Sequence, residues 1–259
     1  MFYSPNFSFN DISNDMMDVV LVTTEKTDIL NEIGTVYIES VKMQNNKTDN
    51  PYYLLDGKST EPIVLEFAYV DLETNTPLVW DEDKVDEIVD WLYQDSFRPF
   101  ISEDNDEIIY YLKATKIYKK FDSNMKGMLV VEFQPYTAYG YKYFEKKIVC
   151  ENEIETKIQN TSTTSEEFYE PVIEIKALEN GVIEIQNLSI EGSESLRVEV
   201  IKGKKTIIDN FTYTVQDENG VNKFLTVNRK WLKLRKGKNI LKIKGKCEFT
   251  IKCNFPKII

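Results

Sequence analysis

The side chains that could carry chemistry are few in kind. The chain has 259 residues and no histidine, which excludes Ser-His and Cys-His nucleophile systems and every histidine metal site. Its three cysteines are Cys150, Cys247 and Cys253. The last two share an alternating apolar–polar segment that reads as a strand. At ~3.3 Å per residue they stand about 20 Å apart, beyond the reach of a disulfide. They are expected to point inward as small apolar groups, and a reducing compartment fits them. Carboxylates crowd Asp81-Glu82-Asp83, then Asp86, Glu87 and Asp90, then Glu103-Asp104-Asn105-Asp106-Glu107. A glycosidase needs two carboxyls facing each other across a cleft, not neighbours in one run, so these read as solvated charge. Asp104-Asn105-Asp106 lacks the glycine and spaced oxygen ligands of an EF-hand loop. The sequence has no glycine-rich phosphate loop, CxxC or GxSxG motif. The reading is therefore of a chain with no catalytic residue, no cofactor and no metal site. Asn-x-Ser/Thr sequons at Asn6, Asn46, Asn160, Asn187 and Asn210 read as abundant Asn, Ser and Thr and nothing more.

The elements around these residues are mostly strands. A period of two marks 17–22, 36–43, 63–70, 108–114 and 128–133. It returns at 172–177, 182–187, 197–201, 206–215, 223–228, 240–244 and 247–253. Asn219-Gly220, Gly203 and Gly237 supply turn signals between the later strands. One helix stands out at 83–94, where Val85, Ile88, Val89 and Leu92 fall on one face and Asp81 to Asp83 supply a cap and favourable negative charge. The polar run Ser162 to Glu167 reads as an exposed loop. The fold class is mainly β: a β-rich N-terminal domain with one helix over residues 1–144, then a β-sandwich domain over 145–259.

Charge divides the same way. Residues 1–143 hold 12 Lys and Arg against 26 Asp and Glu; residues 144–259 hold 20 against 17. The excess of 14 negative charges argues against nucleic-acid binding by the first part, because phosphate contacts need clustered Lys and Arg. In the second part Lys and Arg alternate along strands, as a solvated sheet face does, with a patch for a polyanion as the alternative. No stretch is apolar for long enough to span a membrane, and the first residues lack the pattern of a secretory leader.

Aromatics are the remaining signal. Phe2, Tyr3, Phe7 and Phe9 crowd the first nine residues, and Tyr136 to Phe144 form a second cluster. Strand alternation would put Phe7 and Phe9 in a core; the alternative is a subunit contact, where aromatic side chains are enriched. On the second reading the interface candidates are Phe2, Phe7, Phe9 and Tyr136. Trp231, in Val227-Asn228-Arg229-Lys230-Trp231, reads as a core or rim residue, with a sugar platform as the alternative.

Several short motifs, in order, resemble the distal tail proteins of long-tailed phages, the baseplate hub family. Phe7-Ser8-Phe9-Asn10 is similar to that family's opening, with Asp11 where glycine is usual. Val89-Asp90-Trp91-Leu92 is similar to its helix ending in Trp-Leu. Phe100 to Asp104 followed by Tyr110-Tyr111-Leu112-Lys113-Ala114 resembles its acidic turn and tyrosine-bearing strand. Val131-Glu132-Phe133-Gln134-Pro135-Tyr136 resembles the strand that closes its first domain. Asn160 to Ile175, then Leu234, Gly237, Asn239 and Ile240, resemble its second domain. Of its Pro-Gly-x-x-Gly turn, only Ile33-Gly34-Thr35 remains.

The resemblance implies a belt domain with a projecting β-hairpin arm and a galectin-like β-sandwich. It also implies a homo-hexameric ring at the phage tail tip of the virion. The partners would be the tail tube protein on one side, the tail-tip or tail-associated lysin protein on the other, and receptor-binding proteins on the outward domain. DNA would only pass through the channel, and no membrane is involved. The arm is expected within 40–60, which adds Asn46 and Asn50 to the interface candidates. The rival readings are a carbohydrate-binding adhesion protein that uses the second domain and a cell-wall hydrolase built on carboxylates.

Overall fold

The computed structural model describes residues 2, 4–22, 36–39, 57–60, 62–137, 139–164 and 167–258, with 36–39, 57–60 and 258 described in backbone only. The chain divides into two compact units, one of Met1–Gly140 with Ile258–Ile259 and one of Tyr141–Lys257.

The N-terminal unit is built on an antiparallel sheet in which Ile108–Phe121, Gly127–Pro135, Ile63–Asp71 and Val19–Leu21 lie side by side. Arg98–Ser102 adds to Ile108–Phe121, and Phe7–Phe9 adds to Arg98–Ser102, with Phe9 opposite Phe100. Gly127–Pro135 alternates buried and half-buried side chains along most of its length, so one face carries Leu129, Val131 and Phe133 into the core. Opposite Glu132 and Phe133 the partner strand carries an extra residue: Glu132 faces Lys116 and Phe133 faces Ala114, so Thr115 is left over as a bulge. Gly127 starts the strand at φ +150, where an added Cβ would stand 2.1 Å from the Lys120 carbonyl oxygen; the close approach of the two strands requires glycine.

The helix runs Glu82–Leu92, beginning one residue earlier and ending two earlier than the periodicity predicts. Asp81 is the N-cap and accepts the Lys84 amide at 2.7 Å. Val85, Ile88, Trp91 and Leu92 are buried, whereas Val89 is half-buried. Tertiary packing widens the apolar stripe to include Trp91, whose ring stacks on Phe7 at 5.8 Å. Val36–Glu39 and Gly57–Thr60 pair antiparallel, with Val36 opposite Thr60 and Glu39 opposite Gly57; the rest of the 40–60 segment in which the arm is expected lies outside the described residues.

The C-terminal unit has two facing sheets. One orders Thr214–Asp217, Lys205–Asp209, Val172–Ala177, Cys247–Ile258 and Tyr139–Cys150; the other orders Glu153–Asn160, Gly237–Lys244, Gly181–Asn187 and Leu196–Val200. Between them lies a core that includes Ile173, Ile175, Ile185, Leu241, Phe249 and Ile251. Cys150, Cys247 and Cys253 are all free and buried in it. Burial pushes the Cys247 thiol up to about 12.

Three expectations fail here. Residues 206–215 are not one strand: Asp209 accepts the amides of Phe211 (2.9 Å) and Thr212 (3.2 Å), Tyr213 takes φ +57, and the chain folds back into Thr214–Asp217. The strand expected at 223–228 is a 3-10 turn over Phe224–Thr226, closed by the Thr226 amide on the Lys223 carbonyl at 2.9 Å. Ser162 and Thr164 are buried, not exposed. Asn160 accepts the Ser162 amide at 3.0 Å, and the Thr163 amide donates to the Pro256 carbonyl at 3.0 Å, so polar side chains lie inside because their partners lie there too.

Candidate functional site

The aromatic interface candidates have different fates. Phe7 and Phe9 are 4% and 0% exposed, in the core of their own unit. Phe7 stacks on Phe100 at 5.3 Å and Phe9 lies 5.6 Å from Phe133. The core reading therefore holds for both, and their rings have no surface to offer a neighbour. Phe2 is partly buried, with its ring 4.7 Å from Phe100 and 5.0 Å from Tyr110, so its side chain is tied to the sheet. Tyr136 is different: it is 62% exposed and meets half-open Phe97 edge-on at 5.2 Å. Its amide donates to the Tyr111 carbonyl at 2.8 Å, which fixes the backbone beneath an outward ring. Phe97 was missed in the sequence because it stands alone between polar neighbours. Asn46 and Asn50 lie outside the described residues.

Trp231 is half-buried and lines a cleft of about 390 Å³ in the C-terminal unit. Two turns hold it there. Asn228 donates to the Ser195 carbonyl (2.8 Å) and accepts the Arg197 amide (3.0 Å), which fastens the turn before Trp231 to a strand end. Buried Asn210 accepts the Leu232 amide at 2.8 Å and donates to the Pro171 carbonyl at 2.6 Å, which fastens the residue after it. Between these anchors Arg229 takes a left-handed φ of +59, a strained conformation for a long side chain. The Tyr213 ring stands 5.2 Å from Trp231 and the Phe224 ring 6.1 Å from it; Arg229 lies over Phe224 at 5.1 Å. Lys230 pairs with Glu194 at 2.8 Å on the rim, and Lys233 pairs with Glu170 at 3.6 Å. Sequence reading found Trp231, with Arg229 two residues before it, but not Tyr213 or Phe224, which only the tertiary fold brings to it.

The acidic runs form no such arrangement. Among the described residues no group of three His, Cys, Asp or Glu side chains converges in a way that could hold a metal ion. Asp104 hydrogen-bonds to the Ser102 hydroxyl beside it, and Lys84 spans Glu87 (2.9 Å) and Asp18 (3.5 Å) at the helix. No described helix is long and apolar enough to cross a membrane.

Two mainly β units joined in this order, the first bearing one helix, are a fold also met in a phage hub protein. Along 96% of this chain and 98% of the other, the structure is similar to the Dit (gp 19.1) protein of phage SPP1, described as a paradigm of the hub adsorption apparatus in Gram-positive-infecting phages, with a TM-score of 0.62 and 14% identity. Two structures of the phage P2 baseplate in its activated conformation, with Ca and with Sr, are each similar at a TM-score of 0.44, at 13% and 14% identity. These cover 95% and 96% of this chain and 97% of each matched chain. No curated protein sequence matches the chain. The model of the phage tail protein N-terminal domain matches residues 2–134, and that of the phage tail C-terminal domain matches residues 139–253. The chain belongs to this phage tail protein family and is a component of the virion tail.

Proposed function

We propose that the chain is a distal tail hub, six copies of which close into a ring at the end of the tail tube. The tail-tip or tail-associated lysin protein would bind the opposite face of the ring, and receptor-binding proteins would be held by the outward C-terminal unit. The observation that carries this reading is the likeness to a hub protein along 96% of the chain, spanning both units, together with the two phage tail domain matches.

Ring closure needs a heterologous contact, one surface of each copy against a different surface of the next. An arm within 40–60 and the exposed Tyr136–Phe97 pair are the proposed contact elements, since large aromatic side chains bury much area at little entropic cost. The function is assembly; the carboxylates serve solubility and field rather than turnover. The N-terminal unit would flank the channel, where its negative charge repels passing DNA and keeps a polyanion from sticking.

The test is mass and shape. The purified protein mixed with its tail tube protein should give a closed ring of six subunits by negative-stain microscopy and native mass. A chain that stays monomeric at high concentration with its tail partners present would overturn the proposal. Lys and Arg dominating the inner wall of such a ring would overturn the DNA-repulsion reading.

A further inference from the structure

We propose that the cleft beside Trp231 binds an anionic saccharide, a sugar ring that carries a carboxylate or a phosphate. This does not rest on the ring-forming role of the N-terminal unit; it is a second activity of the C-terminal unit.

The chemistry of the cleft selects the ligand. One side is aromatic: Tyr213 is 50% exposed, and Trp231 stands 5.2 Å from it. The C–H face of a pyranose is apolar and weakly positive and packs on the negative face of such rings. The rim is polar, with Ser193, Glu194 and Lys230 placed to exchange hydrogen bonds with hydroxyls. The lining holds three cations, Arg229, Lys230 and Lys233, against one carboxylate, Glu194. Lys230 and Lys233 have carboxylate partners, whereas Arg229 makes no ion pair among the described residues and leans on the Phe224 ring. An exposed guanidinium with a free fork is suited to a planar carboxylate or a phosphate.

The site is also built before any ligand arrives. Asn228 and Asn210 clamp the turn on both sides of Trp231 and hold the strained backbone at Arg229 (φ +59), while Asp209, accepting the Phe211 and Thr212 amides, holds the turn that carries Tyr213 (φ +57). Strain of this kind persists where the surroundings over-determine it, as at ligand clamps. A volume of about 390 Å³ lies at the small end of ligand sites and suits a short stretch of sugar rather than a bulky polymer fold.

The experiment titrates the full-length protein with three probes, following tryptophan fluorescence and heat. Tetragalacturonate supplies the carboxylate, phosphorylated maltotetraose the phosphate, and maltotetraose neither. Saturable binding of at least one acidic probe is expected, weakened at least about tenfold for the neutral one. Arg229→Gln, on an exposed residue, should lower acidic-probe affinity by about tenfold while leaving the native mass unchanged. Trp231→Phe, which keeps an aromatic ring, should weaken both acidic and neutral binding by a few-fold without altering the preference for acid. Whichever acid binds identifies the source of the charge. No saturable binding by either acid would overturn the proposal, as would equal affinity for the neutral probe or an unchanged affinity in Arg229→Gln. A tail protein that occupies the cleft when neither acid binds would assign it to protein docking instead.

Discussion

The indole N–H of Trp91 donates to the backbone carbonyl of Phe9 at 3.0 Å, joining residues 82 positions apart. The bond ties the first strand of the chain to the last turn of the helix, inside a cluster where Phe7, Phe67, Phe100 and Phe133 meet. It makes the N-terminal segment part of the first unit's core rather than a free arm.

Phe9→Ala is expected to lower the stability of the N-terminal unit by about 3–5 kcal/mol, because a fully buried ring leaves a cavity that its neighbours only partly fill. Trp91→Phe keeps the stacking but removes the indole donor from the Phe9 carbonyl, and should cost about 1–2 kcal/mol. Urea denaturation measures both. A Phe9→Ala protein with unchanged stability would return that ring to the list of interface candidates.

Asn239 is fully buried and satisfied on every side. Its carbonyl accepts from Asn187 (2.8 Å) and the Arg235 amide (2.9 Å), while its amide donates to the Arg235 and Gly237 carbonyls (2.8 and 3.0 Å). Asn239→Leu preserves bulk but strands these partners in the core, so a loss of about 2–3 kcal/mol is expected by thermal or urea unfolding.

Glu174 sits between Lys205 and Lys252, at 2.7 Å from each. Burial raises its pKa, but the two lysine hydrogen bonds outweigh burial and hold it below the usual 4.5. A depressed folded-state pKa gives stability that is complete above the unfolded value and is lost as pH falls through the folded one. At pH 7, Glu174→Gln should therefore destabilise by about 1 kcal/mol, a modest figure because both lysines are about a third exposed. The gap between the two proteins should close in acid, below the ordinary carboxylate range. A gap that persists there would assign the effect to packing.

Cys150, Cys247 and Cys253 are buried, and burial raises all three thiol pKa values. The native protein should resist iodoacetamide at neutral pH, and the unfolded protein should take up three equivalents. Fast labelling of the folded chain would show that the second core opens readily.

Much of this architecture is legible in sequence because local and tertiary signals agree. The helix face of Val85, Ile88 and Leu92 has one period and one cap, and the Gly127–Pro135 strand alternates almost without interruption. Legibility fails where one side chain redirects the backbone. Asp209 turns a run of alternating residues into a hairpin, and Asn160 draws Ser162 into the core. Three of the five sequon asparagines, Asn160, Asn187 and Asn210, are buried pins, which composition alone does not reveal. Phe7 and Phe9 show a further limit: alternation marks an inward face but is the same whether that face meets its own core or a neighbour. Trp231 meets the rings of Tyr213 and Phe224 from separate turns, so no local pattern announces the cleft.

The most direct test of the hub reading is cryo-electron microscopy of intact virion tails with this chain traced in the density. The account predicts six copies in one closed ring at the distal end of the tube, with the 40–60 segment of each reaching its neighbour and carboxylates toward the channel. A single copy, an open stack along the tube, or a location away from the tail tip would contradict it.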